Sequence, residues 1–213
     1  MFKAYFLLNP GNNPFRCRGE SAAALVRDRF PDIHGYVQTS ALPGQADVAF
    51  SGSAELWFTS AEAALAACEA GPGELIADDA SLHSAFAGME RVVMQMPDYL
   101  TEERIKGVYP FGRKAGISLT DFQEHWWFNH GPIAALTEEA FSYHQIHALP
   151  EAYERLSPVY NGITEITWPN ETAAARALDS RQMREDQASD APNFVNMDSI
   201  ALFLAREEAV IAP

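Results

Sequence analysis

The chain has 213 residues, with 15 Lys and Arg against 29 Asp and Glu, giving a formal net charge of −14. That balance, with no basic run, excludes the clustered cations that nucleic-acid binding needs, and no stretch approaches the roughly 20 apolar residues that span a membrane. Hydrophobic content of 47% with 21% charged residues is ordinary globular composition, and the length allows one or two domains.

In chain order, residues 2–8 read as a strand, stopped by Asn9-Pro10-Gly11. That apolar run is too short for a signal peptide, so a soluble, cytoplasmic protein is expected. A helical region, 16–30, leads to the octet Tyr36-Val37-Gln38-Thr39-Ser40-Ala41-Leu42-Pro43. Strand-like residues 52–58 follow, then an Ala-rich helical stretch and the apolar run 89–94. Cys68 lies in that helical stretch and reads as a small buried apolar residue. Neither it nor Cys17 has metal-site spacing.

The same order then recurs. Residues 105–111 read as a strand, and Ser118 is the expected N-cap of a helix whose first turn contains Asp121. That helix ends by Gly131-Pro132 or, with a kink there, near Glu138. Residues 141–149 and 160–168 are the next strands, followed by a polar, Ala-rich helix over 171–185 and a strand over 198–205. Tyr143-His144-Gln145-Ile146-His147-Ala148-Leu149-Pro150 matches the earlier octet at five of eight positions, at an offset of 107. Gly52 to Phe58 is echoed by Gly162 to Trp168, and Met89 to Met94 by Met197 to Leu202. Self-similarity in one order points to a tandem duplication, with domains 1–102 and 103–213 and a boundary near 98–103.

Each copy reads βαββαβ, the ferredoxin-like split arrangement, so the fold class is α+β. Such a domain covers one sheet face with helices and needs a partner for the other. The expectation is two ferredoxin-like domains packed sheet to sheet. They would form an intramolecular pseudo-dimer, with further homodimerisation open.

The run Arg113-Lys114-Ala115-Gly116-Ile117-Ser118-Leu119-Thr120-Asp121-Phe122, continuing through Trp126 to His130-Gly131-Pro132, resembles EthD-type proteins of the dimeric α+β barrel superfamily. Their pattern is an Arg/Lys-Gly loop, then Phe-x-x-x-Trp-x-x-x-His-x-Pro, then a strand beginning with Tyr. The motif covers residues 105–150, and the architecture covers the whole chain. The resemblance implies relatives among ether-degradation accessory proteins, muconolactone isomerases, polyketide cyclases and dehydratases, and ligand-binding proteins. The first copy lacks the pattern: residues 16–30 contain no His or Trp, and Ala23 or Gly19 stands opposite His130. One site-bearing copy and one structural copy are expected.

Four of the six histidines, His125, His130, His144 and His147, fall within 23 residues. Phe122, Trp126 and His130 are four apart and form one helical stripe facing the sheet. His125, five before His130, lies about 140° away on an α-helix, towards solvent. On the strand, Tyr143, Gln145 and His147 share a face, and His144 points the other way. No pair of histidines has metal-binding spacing on one face, so neither a metal nor another cofactor is expected.

His130, Tyr143 and His147 are therefore the candidate catalytic residues, because His titrates near neutrality and Tyr hydrogen-bonds a carbonyl or enolate. Phe122, Trp126 and Gln145 are the candidate substrate-binding residues. Each has a structural alternative: a helix-end His130, a core His147 and Trp126, and a Tyr143 and Gln145 repeated from Tyr36 and Gln38 as scaffold. Glu55 and Glu165 read as paired carboxylates of the barrel seam. No Ser-His-Asp set, P-loop or GxGxxG segment is present.

The leading functional reading is a cofactor-independent isomerase, cyclase or lyase acting on a small cyclic or aromatic carbonyl compound. The alternatives are a small-molecule-binding accessory protein and a haem-dependent or cofactor-free oxygenase.

Overall fold

A computed structural model describes residues 1–11, 13–45, 48–95 and 102–213. The expected boundary near 98–103 thus lies mostly outside the described residues. The strands and helices of the first part are β1 (Phe2–Leu8), α1 (Gly19–Arg29), β2 (Gly35–Ala41), β3 (Gly52–Phe58), α2 (Ala61–Ala70) and β4 (Leu82–Met94). Next come β5 (Ile105–Arg113), α3 (Leu119–Glu124), a π-helical turn at His125–His130, α4 (Gly131–Ala134), β6 (Ser142–Ala148) and α5 (Ala152–Arg155). The chain closes with β7 (Gly162–Trp168), α6 (Glu171–Asp179), a second π turn at Gln182–Gln187, α7 (Ala188–Asp190), β8 (Val195–Asn196) and β9 (Phe203–Ile211). The result is a mixed α+β protein with antiparallel strand pairing. Among the described residues no helix is long and apolar enough to cross a membrane.

The chain forms two compact units. One comprises Met1–Glu90, Ala148–Val159 and Ala205–Pro213, the other Arg91–His147 and Tyr160–Leu204. In the first, the strand order is β4-β1-β3-β2, and residues 205–211 of β9 add along the edge of β2. Ala22 and Val26 of α1 and Ala64, Leu65 and Cys68 of α2 close over Phe6, Tyr36 and Leu56. Burying those apolar faces supplies most of the favourable free energy of such a layer.

In the second unit β6 pairs with β7, β7 with β5, and the short β8 with the end of β5. Its registers reproduce those of the first. Phe2↔Phe58 and Leu8↔Gly52 correspond to Ile105↔Trp168 and Phe111↔Gly162, and Gly35↔Trp57 corresponds to Ser142↔Thr167. The helix caps repeat as well: the Ser60 and Asn170 side chains each accept from the backbone N–H three residues on. Buried lysines complete the parallel, with Lys3 Nζ 3.4 Å from Glu55 and Lys106 Nζ 3.4 Å from Glu165. The two glutamates are thus ion-paired, a partnership that offsets the cost of burying each charge.

Three expected elements differ. The helix over 171–185 ends at Asp179, because Ser180 is extended and its hydroxyl bonds the Ala177 carbonyl. The strand expected at 198–205 begins only at Phe203, since Met197–Ser199 forms a single 3-10 turn. The echo between Met89 and Met197 therefore joins a strand residue to a turn residue. The helix through His130 continues past Gly131-Pro132 to Ala134 by way of a π turn, in which the Gly131 N–H reaches the Trp126 carbonyl five residues back.

The Trp126 indole lies directly over Gly162. It stands 4.9 Å from the Phe111 ring and 4.3 Å from His147, the two residues paired across the ladder with Gly162. A Cβ at Gly162 would come 2.5 Å from Trp126 Cζ3 and 2.8 Å from Cη2. The ring is fully buried, flanked by Phe111, Phe122 and His147. Gly162→Ala is therefore expected to cost about 1–3 kcal/mol in chemical denaturation, the usual cost of overpacking a core. A wild-type midpoint in that variant would show that the indole is not confined.

Candidate active site

One face of the second unit's sheet forms the floor of a cavity of about 220 Å³. Tyr109 and Phe111 of β5, Thr164 and Ile166 of β7, and Tyr143 of β6 contribute to it. The registers Tyr109↔Thr164 and Tyr143↔Ile166 place these side chains on one face. The opposite wall comes from the helical layer: Trp126 and His130 on one side, Met183, Gln187, Phe194 and Val195 on the other. Met197 and Ile200, both exposed, line its outer part.

The π turn decides what the wall presents. An α-helix advances about 100° per residue, so residues spaced by four drift steadily around it. The wider π turn rotates each residue less, which cancels that drift and returns His130 to the line of Phe122 and Trp126. It also aligns residues five apart. His125 still borders solvent, its side chain 27% exposed, and it joins His130 on a single carboxylate. His125 Nε2 and His130 Nδ1 each lie 2.9 Å from an oxygen of Asp190, which also accepts from Asn193 Nδ2 at 3.1 Å.

The second π turn faces the first with the same spacing. Gln187 Nε2 donates to Gln182 Oε1 at 2.8 Å and to Thr137 Oγ1 at 2.9 Å, and Gln182 Nε2 donates to the Ile133 carbonyl at 2.7 Å.

Burial pushes the His130 pKa down, against the opposing pull of Asp190 and a side-chain hydrogen bond with Gln187. For Asp190, burial acts to raise the pKa, but hydrogen bonds from Asn193, His125 and His130 outweigh it and hold the carboxyl ionised. An ionised carboxylate only accepts, so His130 carries its proton on Nδ1 and donates it to Asp190. Nε2 is then the unprotonated nitrogen of the neutral ring. The arrangement is an Asp–His pair at the wall of a cavity lined largely by aromatic and aliphatic side chains, suited to general acid–base chemistry.

Of the residues expected from the sequence, His130, Tyr143 and Trp126 line the cavity. Burial pushes the Tyr143 pKa up, with a side-chain hydrogen bond to Thr164 working against it. Phe122 does not line the cavity but packs behind the wall, 5.7 Å from Trp126 and 5.8 Å from Phe194. His147 and Gln145 do not reach it either. Gln145 Nε2 donates to the Trp126 carbonyl at 3.0 Å, its Oε1 accepts from His147 Nε2 at 2.9 Å, and the His147 ring stacks on Trp126. The strand face was read correctly, but the indole occupies the space through which His147 would meet the cavity.

Asp190, Gln187, Phe194 and Tyr109 were not anticipated. Asp190-Ala191-Pro192-Asn193 reads locally as a helix stop, and nothing nearby in sequence ties it to a histidine 60 residues earlier.

Residues 114–198 match the EthD-domain family. That span runs from the loop after β5 to the turn after β8 and contains His130, Tyr143 and Asp190. No curated protein sequence matches the chain. Among solved structures, a candidate monooxygenase from Lactobacillus acidophilus is similar over 100% of this chain and 98% of its own, at 11% identity and a TM-score of 0.51. An anthrone oxidase-like protein matches over 98% and 93%, at 11% identity and a TM-score of 0.58. A mutant chlorite dismutase from Candidatus Nitrospira defluvii matches over 96% and 90%, at 10% identity and a TM-score of 0.54. At these identities the likeness is one of fold, and the fold is that of dimeric α+β barrel proteins.

Burial, followed by the charge of Arg91, pushes the His147 pKa down to about 3. The free histidine value is about 6.5, so below that pH the unfolded chain takes up a proton that the folded protein refuses. Stability is thus complete above about pH 6.5 and declines as the pH falls, at up to about 1.4 kcal/mol per unit. His130 acts in the same direction. In urea titrations wild type should lose about 2 kcal/mol more than His147→Phe between pH 6.5 and 5; equal losses in both would clear His147 of the effect.

Proposed function

We propose that this EthD-domain chain is a proton-transfer enzyme acting on a small cyclic or aromatic carbonyl compound bound in the cavity of the second unit. The observation that carries the reading is the Asp190–His130 pair at the wall of an otherwise apolar cavity. The C–H bond beside the carbonyl breaks, its proton passes to Nε2 of His130, and the electron pair moves onto the carbonyl oxygen as an enolate. Asp190 stabilises the imidazolium that forms and keeps the ring in one tautomer. The proton then returns, at another carbon in an isomerisation or to a departing hydroxyl in a dehydration. His147 and Gln145 act on this step indirectly by holding Trp126.

We propose further that the chain is a tandem duplication of a ferredoxin-like βαββαβ domain, with boundaries 1–102 and 103–213, whose copies stand in for the two subunits of a dimeric barrel. The reproduced registers, caps and Lys–Glu pairs support this reading. Substrate binding belongs to the second copy alone. At the positions matching Tyr109, Phe111, Thr164 and Ile166, the first unit has Phe6, Leu8, Ala54 and Leu56, all inside its core.

A second reading is favoured by the likeness to monooxygenase-like and anthrone oxidase-like proteins: the same enolate, once formed, reacts with molecular oxygen. Haem fits this site poorly. A haem needs a histidine facing an opening wide enough for the macrocycle, whereas a cavity of about 220 Å³ has room for one or two rings and His147 lies outside it.

The test is deuterium exchange. In D₂O the protein should catalyse loss of the α-protons of cyclic and aryl ketones such as 1-indanone, followed by NMR. His130→Asn should lower that rate by about 10²–10⁴-fold, and Asp190→Asn should lower it while altering its pH profile. Oxygen uptake during exchange would favour the oxygenase reading. Absence of exchange across a ketone panel, with binding intact, would leave a small-molecule-binding protein.

A further inference from the structure

We propose that Tyr109 is the hydrogen-bond donor for the ligand's oxygen, and that the cavity takes an uncharged one- or two-ring ketone. This rests on the reading that the cavity is the substrate site, but it does not depend on His130 doing chemistry.

The Tyr109 hydroxyl is buried, and it has no hydrogen-bond partner among the described residues. A buried hydroxyl left unpaired loses its hydration with nothing in return, so phenylalanine would be the less costly residue at an ordinary core position. The chain itself makes that comparison. The register position of Tyr109 opposite Thr164 is held in the first unit by Phe6 opposite Ala54, where the surroundings are filled core. The hydroxyl is present only where the sheet face borders a cavity.

Its ring is also held in place. A Cβ at Gly107 would come 3.0 Å from Tyr109 Cε2 and 2.9 Å from Trp168 Cζ3, so glycine there leaves room for both rings. The cavity's other tyrosine, Tyr143, is already hydrogen-bonded to Thr164. Tyr109 is therefore the cavity tyrosine whose hydroxyl lacks a partner among the described residues.

Charge and size narrow the ligand further. None of the residues lining the cavity is Lys, Arg, Asp or Glu. A carboxylate placed there would lose its hydration without a counter-ion. An apolar cavity of roughly 150 Å³ accommodates benzene, so about 220 Å³ suits one ring with substituents or two fused rings. An unpartnered hydroxyl on the sheet floor and an acid–base group on the helical wall suit a ketone with its oxygen at Tyr109 and its α-carbon towards His130.

Calorimetric titration of wild type and Tyr109→Phe with 1-indanone and with indane, which share a skeleton and differ at the carbonyl, tests this. Tyr109→Phe should weaken 1-indanone roughly tenfold, the loss of one neutral hydrogen bond, and leave indane unchanged or tighter. Its thermal midpoint without ligand should stay or rise, because the unpaired hydroxyl is gone. A carboxylated indanone should not bind wild type. Equal effects on both probes, or tight binding of the carboxylate, would overturn the proposal. Tyr109-dependent ketone binding without deuterium exchange would uphold this inference while removing the proton-transfer reading. Exchange that is indifferent to Tyr109 would do the reverse.

Discussion

The second unit depends on one steric fit: the Trp126 indole laid on the bare backbone of Gly162. A side chain at that strand position would lift the ring. The ring in turn fills the space between Phe111 and His147. Losing a buried tryptophan typically costs about 3–5 kcal/mol, so this contact outweighs any single polar interaction nearby. It also sets the height of the helix above the sheet. With the indole in place, the Trp126 carbonyl meets both Gln145 Nε2 and the Gly131 N–H. That second bond spans five residues and defines the π turn.

From the π turn follows the chemistry of the wall. It brings His125 and His130 to one carboxylate, and a matching turn at Gln182–Gln187 supplies the facing amides. Burial disfavours a charged His130 while Asp190 favours it, and burial prevails. The imidazole is thereby biased towards its neutral form, with the carboxylate 2.9 Å from Nδ1. π turns recur at functional sites because they re-aim side chains at a local energetic cost. Here the cost is met by interlocking amide and carboxylate hydrogen bonds along the two facing turns.

The two units share what a sheet needs and differ in what lies over it. Strand registers, helix caps, the Lys–Glu pairs and the scaffold glutamines recur. Gln38 Nε2 bonds the Cys17 carbonyl much as Gln145 Nε2 bonds that of Trp126, so each glutamine ties its strand to the segment crossing it. The first unit closes α1 and α2 over its sheet with small and aliphatic residues, leaving a filled core. The second carries an irregular layer from its two π turns and the residues up to Asn193, and a cavity lies between that layer and the sheet.

Short-range pattern made much of this legible. The repeated octet, the Gly–Glu strand and the capping residues mark strands and helix starts because they act through neighbours in sequence, and Phe122, Trp126 and His130 stand out by their spacing. The alternation of β6 likewise placed Tyr143, Gln145 and His147 on one face. What lay beyond reach was everything decided by contact across the fold. Trp126 packs on a glycine 36 residues away, and the π turn that starts beside it brings the part-exposed His125 onto the carboxylate that His130 also meets. Asp190 became the partner of His130 through a helical segment whose sequence alone reads as a stop. Whether a buried tyrosine meets a partner or a cavity depends on the layer above it, which is why Tyr36 and Tyr143 were visible as a repeat while Tyr109 was not. Local sequence determines which conformations each segment prefers; only the packed structure determines which side chains lose their water together, and that shared desolvation makes the site.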